Sequence, residues 1–282
     1  MKRTIFYLLA VVVFILASCN TGTQETGKLQ IEFEKYTLSN GLDVILHVDK
    51  SDPIVALAIQ FHVGSNREVP GRTGFAHLFE HMMFQRSENV GEDQFFKKIQ
   101  NAGGTLNGGT GHDATTYFEV VPKNALEMIL WLESDRMGYM INTVTEKSFA
   151  IQQNVVQNEK RQGVDNRPYG HTYGVILKNL YPEGHPYSWT VIGEMEDLRN
   201  ATVEDVKEFH AKWYVPNNAT LVLAGDFETE DAKKMIEKYF GEIPRGGDIV
   251  DPLPQPVTLE EKIKLSHEDN FAKASQLQMI WP

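Results

Sequence analysis

Apolar and polar residues alternate from Lys28 to Leu38 and again from Leu42 to Val48, on either side of Asn40-Gly41. A period of two turns one strand face toward a core, and Asn-Gly tolerates the positive φ of a tight turn, so the pattern predicts a β-hairpin. Ile54 to Val63 predicts a third strand. The period then lengthens. Phe75 to Phe84, entered through the loop Gly71 to Gly74, carries apolar residues around most of a helical surface and predicts a buried helix. Glu92 to Ala102 predicts an amphipathic helix that stops at Gly103-Gly104. Thr105 to Val121, rich in β-branched and aromatic residues, predicts two strands or one long bent strand.

Pro122 is expected to open a helix reaching about Met140, because its missing amide hydrogen costs nothing at a first helical position. A further helix is expected from Thr145 to about Arg161, broken by Asn166 to Gly170. Thr202-Val203-Glu204-Asp205 offers a capped start for a helix to about Trp213. Ala219 to Phe227 reads as a strand, Glu228 to Phe240 as a helix, and Gly246-Gly247 with Pro252, Pro254 and Pro256 as a linker. Strands before and between helices imply an α+β fold, a mostly antiparallel sheet packed against helices.

The N-terminus follows a different rule. Met1-Lys2-Arg3, an apolar run from Ile5 to Ala17 and then Ser18-Cys19 have the layout of a secretory signal, too short for a comfortable membrane span. Leu16-Ala17-Ser18-Cys19 resembles a bacterial lipobox, and Cys19 is the chain's single cysteine. That position, followed by the polar stretch Asn20 to Lys28, predicts lipid attachment at Cys19 rather than a disulfide or a catalytic thiol. Cleavage before Cys19 removes Lys2 and Arg3 and no acid, taking the net charge from −11 to −13. Such an acidic chain, with no basic stripe, excludes nucleic acid as a partner.

Chemistry concentrates in His77-Leu78-Phe79-Glu80-His81. On a helix, residues four apart share a face, so both imidazoles can turn a nitrogen toward one point, with Glu80 beside them. Two histidines leave a zinc ion needing one more protein ligand and a position for water, whose proton a carboxylate can take. This is the inverted zincin pattern H-x-x-E-H. The alternative is a pair of core histidines and a buried salt-bridged glutamate.

The glycines from Gly103 to Gly111 loosely match a dinucleotide fingerprint, but a helix precedes them and a strand follows, the reverse of what that site needs. A third metal ligand must come from elsewhere. Glu159 stands one turn beyond Val155 and Val156 on an otherwise apolar face, which implies a partner. A surface ion pair of Glu159 with Lys160 or Arg161 is the competing reading.

Taken together these features resemble the pitrilysin-type zinc metallopeptidases. The resemblance rests on the pentapeptide, on Glu159 following His81 by 78 residues within Val155-Val156-Gln157-Asn158-Glu159-Lys160-Arg161, and on Gly103-Gly104-Thr105-Leu106-Asn107. It extends to Thr115-Thr116-Tyr117, His185-Pro186-Tyr187, Ile192-Gly193 and Tyr214 to Thr220 with Ala224-Gly225-Asp226.

The resemblance implies that His77, His81 and Glu159 bind one Zn²⁺ and that Glu80 is the general base. It implies a zinc-dependent endopeptidase, with Asn107 and its strand as the edge along which an extended peptide substrate adds. Many relatives carry a glutamate where this chain has Gln152, an amide that can orient a neighbour without bringing charge. The family unit has two similar halves, the second supplying an arginine and a tyrosine that hold substrate. Only the zinc-bearing half is expected here, so a second half or partner subunit is implied for full activity. A non-catalytic structural or processing subunit is the alternative role.

The expected organisation is a lipoprotein signal over 1–18, a lipid-anchored linker over 19–28, the zinc-bearing domain over 29–245, and over 246–282 a linker and closing strands of the same half. Gln276 to Pro282 resembles such a strand, and the chain stops about where a second half would begin. A bacterial cell-envelope location follows from the anchor, and Asn20 lacks the aspartate associated with inner-membrane retention.

Overall fold

The computed structural model describes residues 30–250 and 256–281. The expected signal, Cys19 and linker lie outside the described residues. Six strands form one mixed sheet: β1 (Glu34–Thr37), β2 (Asp43–Val48), β3 (Ile54–Phe61), β4 (Thr105–Thr110), β5 (Thr115–Pro122) and β6 (Ala219–Gly225). Their spatial order is β1-β2-β6-β3-β5-β4, and every neighbouring pair is antiparallel except β2 with β6.

The β1–β2 hairpin forms as its alternation requires, with Gly41 at φ 93° in the turn. Asn40 does more than permit the turn: its amide donates to the carbonyls of Phe240 at 2.8 Å and Ile243 at 2.9 Å, tying the hairpin to a segment two hundred residues away. Along each strand the period of two divides the sheet into two faces. Val44, Leu46, Leu57, Ile59, Phe61, Tyr117, Leu221 and Leu223 are buried on one, whereas Ala56, Gln60 and Phe118 on the other are exposed.

Eight α-helices are assigned among the described residues: α1 (Phe75–Met83), α2 (Gln94–Asn101), α3 (Leu126–Tyr139), α4 (Glu146–Lys160), α5 (Thr172–Leu180), α6 (Met195–Asn200), α7 (Val203–Trp213) and α8 (Thr229–Phe240). Thr202 and Asp205 form the capping box expected at the start of α7. The first three helices contact the β3 to β5 side of the sheet. Within that layer Arg136 is buried, paired with Glu133 and Glu119 and held 4.3 Å from the Tyr117 ring centroid. One guanidinium faces both acids, and burial beside Glu133 raises the Glu119 carboxyl well above the usual range, which disfavours its charged form.

Two expectations are corrected, at Pro122 and at the closing segment, and two features go beyond the sequence reading. Pro122 does not start a helix: it ends β5 opposite Ile54, and a 3₁₀ turn, Lys123–Ala125, intervenes before Leu126. The α-helix carrying Glu159 ends at Lys160, as expected, and a π-helical turn, Arg161–Asp165, follows it, with Asn166 N–H donating to Arg161 C=O at 2.8 Å. Two helices, α5 and α6, fall where no periodicity predicts them, because each buries a single residue, Leu177 and Leu198 respectively. Finally, the closing segment Gln276 to Trp281 forms no strand. A strand needs a neighbour for its backbone groups, and no ladder includes these residues; Leu277 is 85% exposed.

Candidate metal centre

Helix α1 begins at Gly74, whose φ of 85° turns the chain into the helix and leaves it no side chain with which to cap itself. The cap comes from six residues earlier. Glu68 accepts hydrogen bonds from Gly74 N at 3.0 Å and Ala76 N at 2.8 Å, serving two of the amides that a helix start leaves unpaired. Burial pushes the Glu68 carboxyl up to about 8, against the opposing pull of those amides. One residue thus both ends the loop and orients the helix.

From that start, helical spacing sends His77 and His81 to one side, their ring centroids 4.9 Å apart and nearly perpendicular. Helix α4 arrives opposite them with Glu159 in its last turn. Glu159 Oε2 lies 3.3 Å from His81 Nε2 and 3.7 Å from His77 Nε2, and one donor atom from each residue falls within 4.8 Å of the others. Ligands about 2.0–2.1 Å from a tetrahedral zinc ion stand about 3.3–3.4 Å from one another, so this set fits such an ion. Burial, then the neighbouring His81, pushes the His77 imidazole down to about 4, leaving it neutral and able to offer a nitrogen lone pair at pH 7. Oxygen and imidazole donors of this kind suit zinc.

Glu80 is buried on the same helix, and burial raises its carboxyl above the usual range. The Thr110 hydroxyl donates to Glu80 Oε2 at 2.6 Å, which pulls the other way. Thr110 is the last residue of the edge strand β4, and its role escapes a sequence reading because a threonine in a strand is ordinary and Glu80 lies 30 residues away. Glu68 escapes for a similar reason: its loop shows no helical period.

Asn107 is on the same strand but turns the other way. Its neighbour across the sheet is the exposed Phe118, whereas Thr110 stands opposite the buried Thr115. The Asn107 side chain therefore lies on the open face, accepting from Gly108 N at 2.9 Å, and is not brought to the His77, His81 and Glu159 cluster. What β4 does offer near Glu80 is a backbone edge that no described strand pairs. Gln152 is buried two turns before Glu159 on α4.

Residues 43–181 match the family model "Insulinase (Peptidase family M16)", and residues 200–282 match "Peptidase M16 inactive domain". The Zinc protease PqqE of Helicobacter pylori is 33% identical over 208 residues, 73% of this chain and 46% of the relative. Among solved structures, a protease from Helicobacter pylori superposes with a TM-score of 0.76 at 32% identity, over 80% of this chain and 54% of that one. The first half of the periplasmic protease PqqL from Escherichia coli gives 0.70 at 22% identity, over 80% of this chain and 50% of that one, a likeness of fold. The chain thus spans about half the length of the relatives it matches. With two models of one peptidase family matched in order along it, the chain belongs to the pitrilysin-type M16 peptidases.

Proposed function

We propose that this chain is the zinc-bearing half of a metalloendopeptidase of the bacterial cell envelope, lipid-anchored through Cys19. The observation that carries the reading is the convergence of His77 Nε2, His81 Nε2 and Glu159 Oε2, with Glu80 on the same helix as the histidines. These three residues hold the ion. When bound, zinc polarises a substrate carbonyl and makes water more acidic.

Glu80 does the proton work. Thr110 occupies its Oε2, so Oε1 is the oxygen left to accept a proton from the attacking water. The water oxygen bonds to the peptide carbonyl carbon, Glu80 holds the proton, and as the C–N bond breaks the same proton passes to the leaving amine. An extended substrate adds along the free edge of β4, where backbone hydrogen bonds hold it with loose side-chain selectivity. Asn107 supports that edge through its bond to Gly108 rather than by reaching the metal cluster. Gln152 supports α4 without adding charge.

Substrate capture is completed by a second half or a partner subunit. Support comes from the aligned part of this chain covering only about half of each of the two Helicobacter pylori proteins it matches. A second reading, a non-catalytic subunit, is favoured by the model matched at 200–282, described as an inactive domain.

The test is to measure zinc stoichiometry in the purified chain and cleavage of quenched peptides, with and without candidate partner halves, beside Glu80→Gln. One zinc per chain and activity abolished by Glu80→Gln are expected. Absence of zinc sinks the site; zinc with activity untouched by Glu80→Gln in every combination sinks the peptidase reading and leaves the subunit role.

A further inference from the structure

Two helices must meet with sub-ångström accuracy for His77 and His81 to share an ion with Glu159, and apolar packing between them is not directional enough to guarantee it. Residues 192–201, which contribute no donor to the cluster, make polar contacts with the loop that leads into α1 and with a side chain of α4.

At one end the segment grips the start of α1. Thr73 donates from its backbone N–H at 3.0 Å and its hydroxyl at 2.6 Å to Asp197 Oδ2, and the same hydroxyl accepts from Glu194 N at 2.9 Å. Next to it the backbones of Gly74 and Gly193 pass so closely that a Cβ on Gly193 would collide with Gly74, and a Cβ on Gly74 would stand 2.7 Å from Ile192 O. Both glycines have positive φ, 85° and 73°, so neither contact nor conformation admits a larger residue. This is a structural use for Ile192-Gly193 that the proposed chemistry leaves unassigned.

At the other end Gln153, six residues before Glu159 on α4, donates its amide to Leu198 O at 2.8 Å and Ala201 O at 3.1 Å. Those carbonyls belong to the C-terminal end of α6, where intrahelical partners run out, so Gln153 caps α6 from a neighbouring helix. Between the two ends, Leu198 is fully buried.

We propose that residues 192–201 are a strut that fixes the separation of the two ligand helices, with Asp197 and Gln153 as its positioning residues. The strut joins the loop that leads into α1, at Thr73 four residues before His77, to α4 six residues before Glu159. It acts on the metal site only by setting where the donors stand, and it rests on the reading of His77, His81 and Glu159 as ligands.

The experiment uses the full chain. Zinc affinity is measured by competition with a chromophoric chelator, and donor geometry by the visible absorption of the Co²⁺-loaded protein. The variants are Gln153→Met, Asp197→Ala, both together, and Gln153→Lys, whose ammonium restores a donor to the same carbonyls. Ile236→Val, a buried substitution in α8, controls for general loss of stability.

Each single variant is expected to weaken zinc binding about tenfold and to shift the cobalt bands. The double variant is expected to cost little more than either single one, since both cut one connection. Gln153→Lys should recover most of the affinity, and Ile236→Val should leave it unchanged. Affinity unchanged in both single variants, or lowered as much by Ile236→Val, overturns the strut while leaving the metal site standing. A wild-type chain that takes up no zinc or cobalt overturns both. If Gln153→Met does not fold, an unaltered cobalt spectrum in Asp197→Ala alone overturns the proposal.

Discussion

The Thr110 hydroxyl donates to Glu80 Oε2 at 2.6 Å, joining the end of an edge strand to the helix that carries the histidines. Because that bond stabilises the ionised carboxylate against the burial that raises its pKa, it sets how readily Glu80 can act as a base at neutral pH.

Thr110→Val keeps the shape and removes the donor. Hydrogen bonds to charged groups contribute about 1.5–3 kcal/mol, so the acid limb of the kcat/KM profile should move upward by about one to two pH units. Zinc stoichiometry should not change. A pH–rate profile superimposable on that of wild type would exclude a role for Thr110 in tuning the base.

Glu68 gives the metal-free chain a pH dependence of defined sign. Its folded pKa, about 8, lies above the ordinary 4.5, so the native state holds a proton that the unfolded state has released. Stability therefore falls as pH rises through that interval, by at most about 1.4 kcal/mol per unit. His77 and His210, each pushed down to about 4 by burial, oppose this below their ordinary 6.5. Between pH 6.5 and 8 the two histidines no longer contribute, and the raised carboxyls of Glu80 and Glu119 act with the same sign as Glu68. Urea unfolding should show wild type losing stability across that window, and Glu68→Gln should make the slope shallower without abolishing it.

Zinc should raise the melting temperature of the wild-type chain, since a ligand at a hundred times its Kd adds about 2.7 kcal/mol to the folded state. Calorimetry with Glu159→Ala should show a much smaller rise, and a chelator should reverse it. Equal rises in both proteins would remove Glu159 from the ligand set.

Arg136 is held by Glu133, Glu119 and three aromatic rings. Arg136→Met would leave two buried carboxylates without a cation, and burial already raises Glu119 above its ordinary range. The expected cost is about 3–5 kcal/mol in denaturant unfolding, with Glu119→Gln in the same chain recovering part of it.

Legibility in the sequence follows the range over which each signal acts. His77, Glu80 and His81 are readable because helical spacing alone places them, and the β1–β2 hairpin and α7 because turn and cap residues mark them locally. Glu159 is readable only as an acid on an apolar face; the partner that explains it comes from another helix. Thr110, Glu68 and the contacts of 192–201 are invisible because nothing near them in sequence differs from an ordinary strand or loop. Asn107 is legible as a residue of the edge strand, while the direction of its side chain is not. Its position on β4 is as expected, but the phase of the strand turns its side chain to the open face.

The sheet order has a consequence in time. Strand β6 lies between β2 and β3, pairing Val44 with Leu221 and Ile59 with the same Leu221 from the other side. Until Ala219 to Gly225 has emerged and inserted, β2 and β3 flank an empty slot with two exposed edges, although every proposed metal ligand has already been synthesised. Such long-range pairing is slow to form. A nascent or exported chain that ends short of β6 therefore carries all the donors and none of the rigidity that would bring them together.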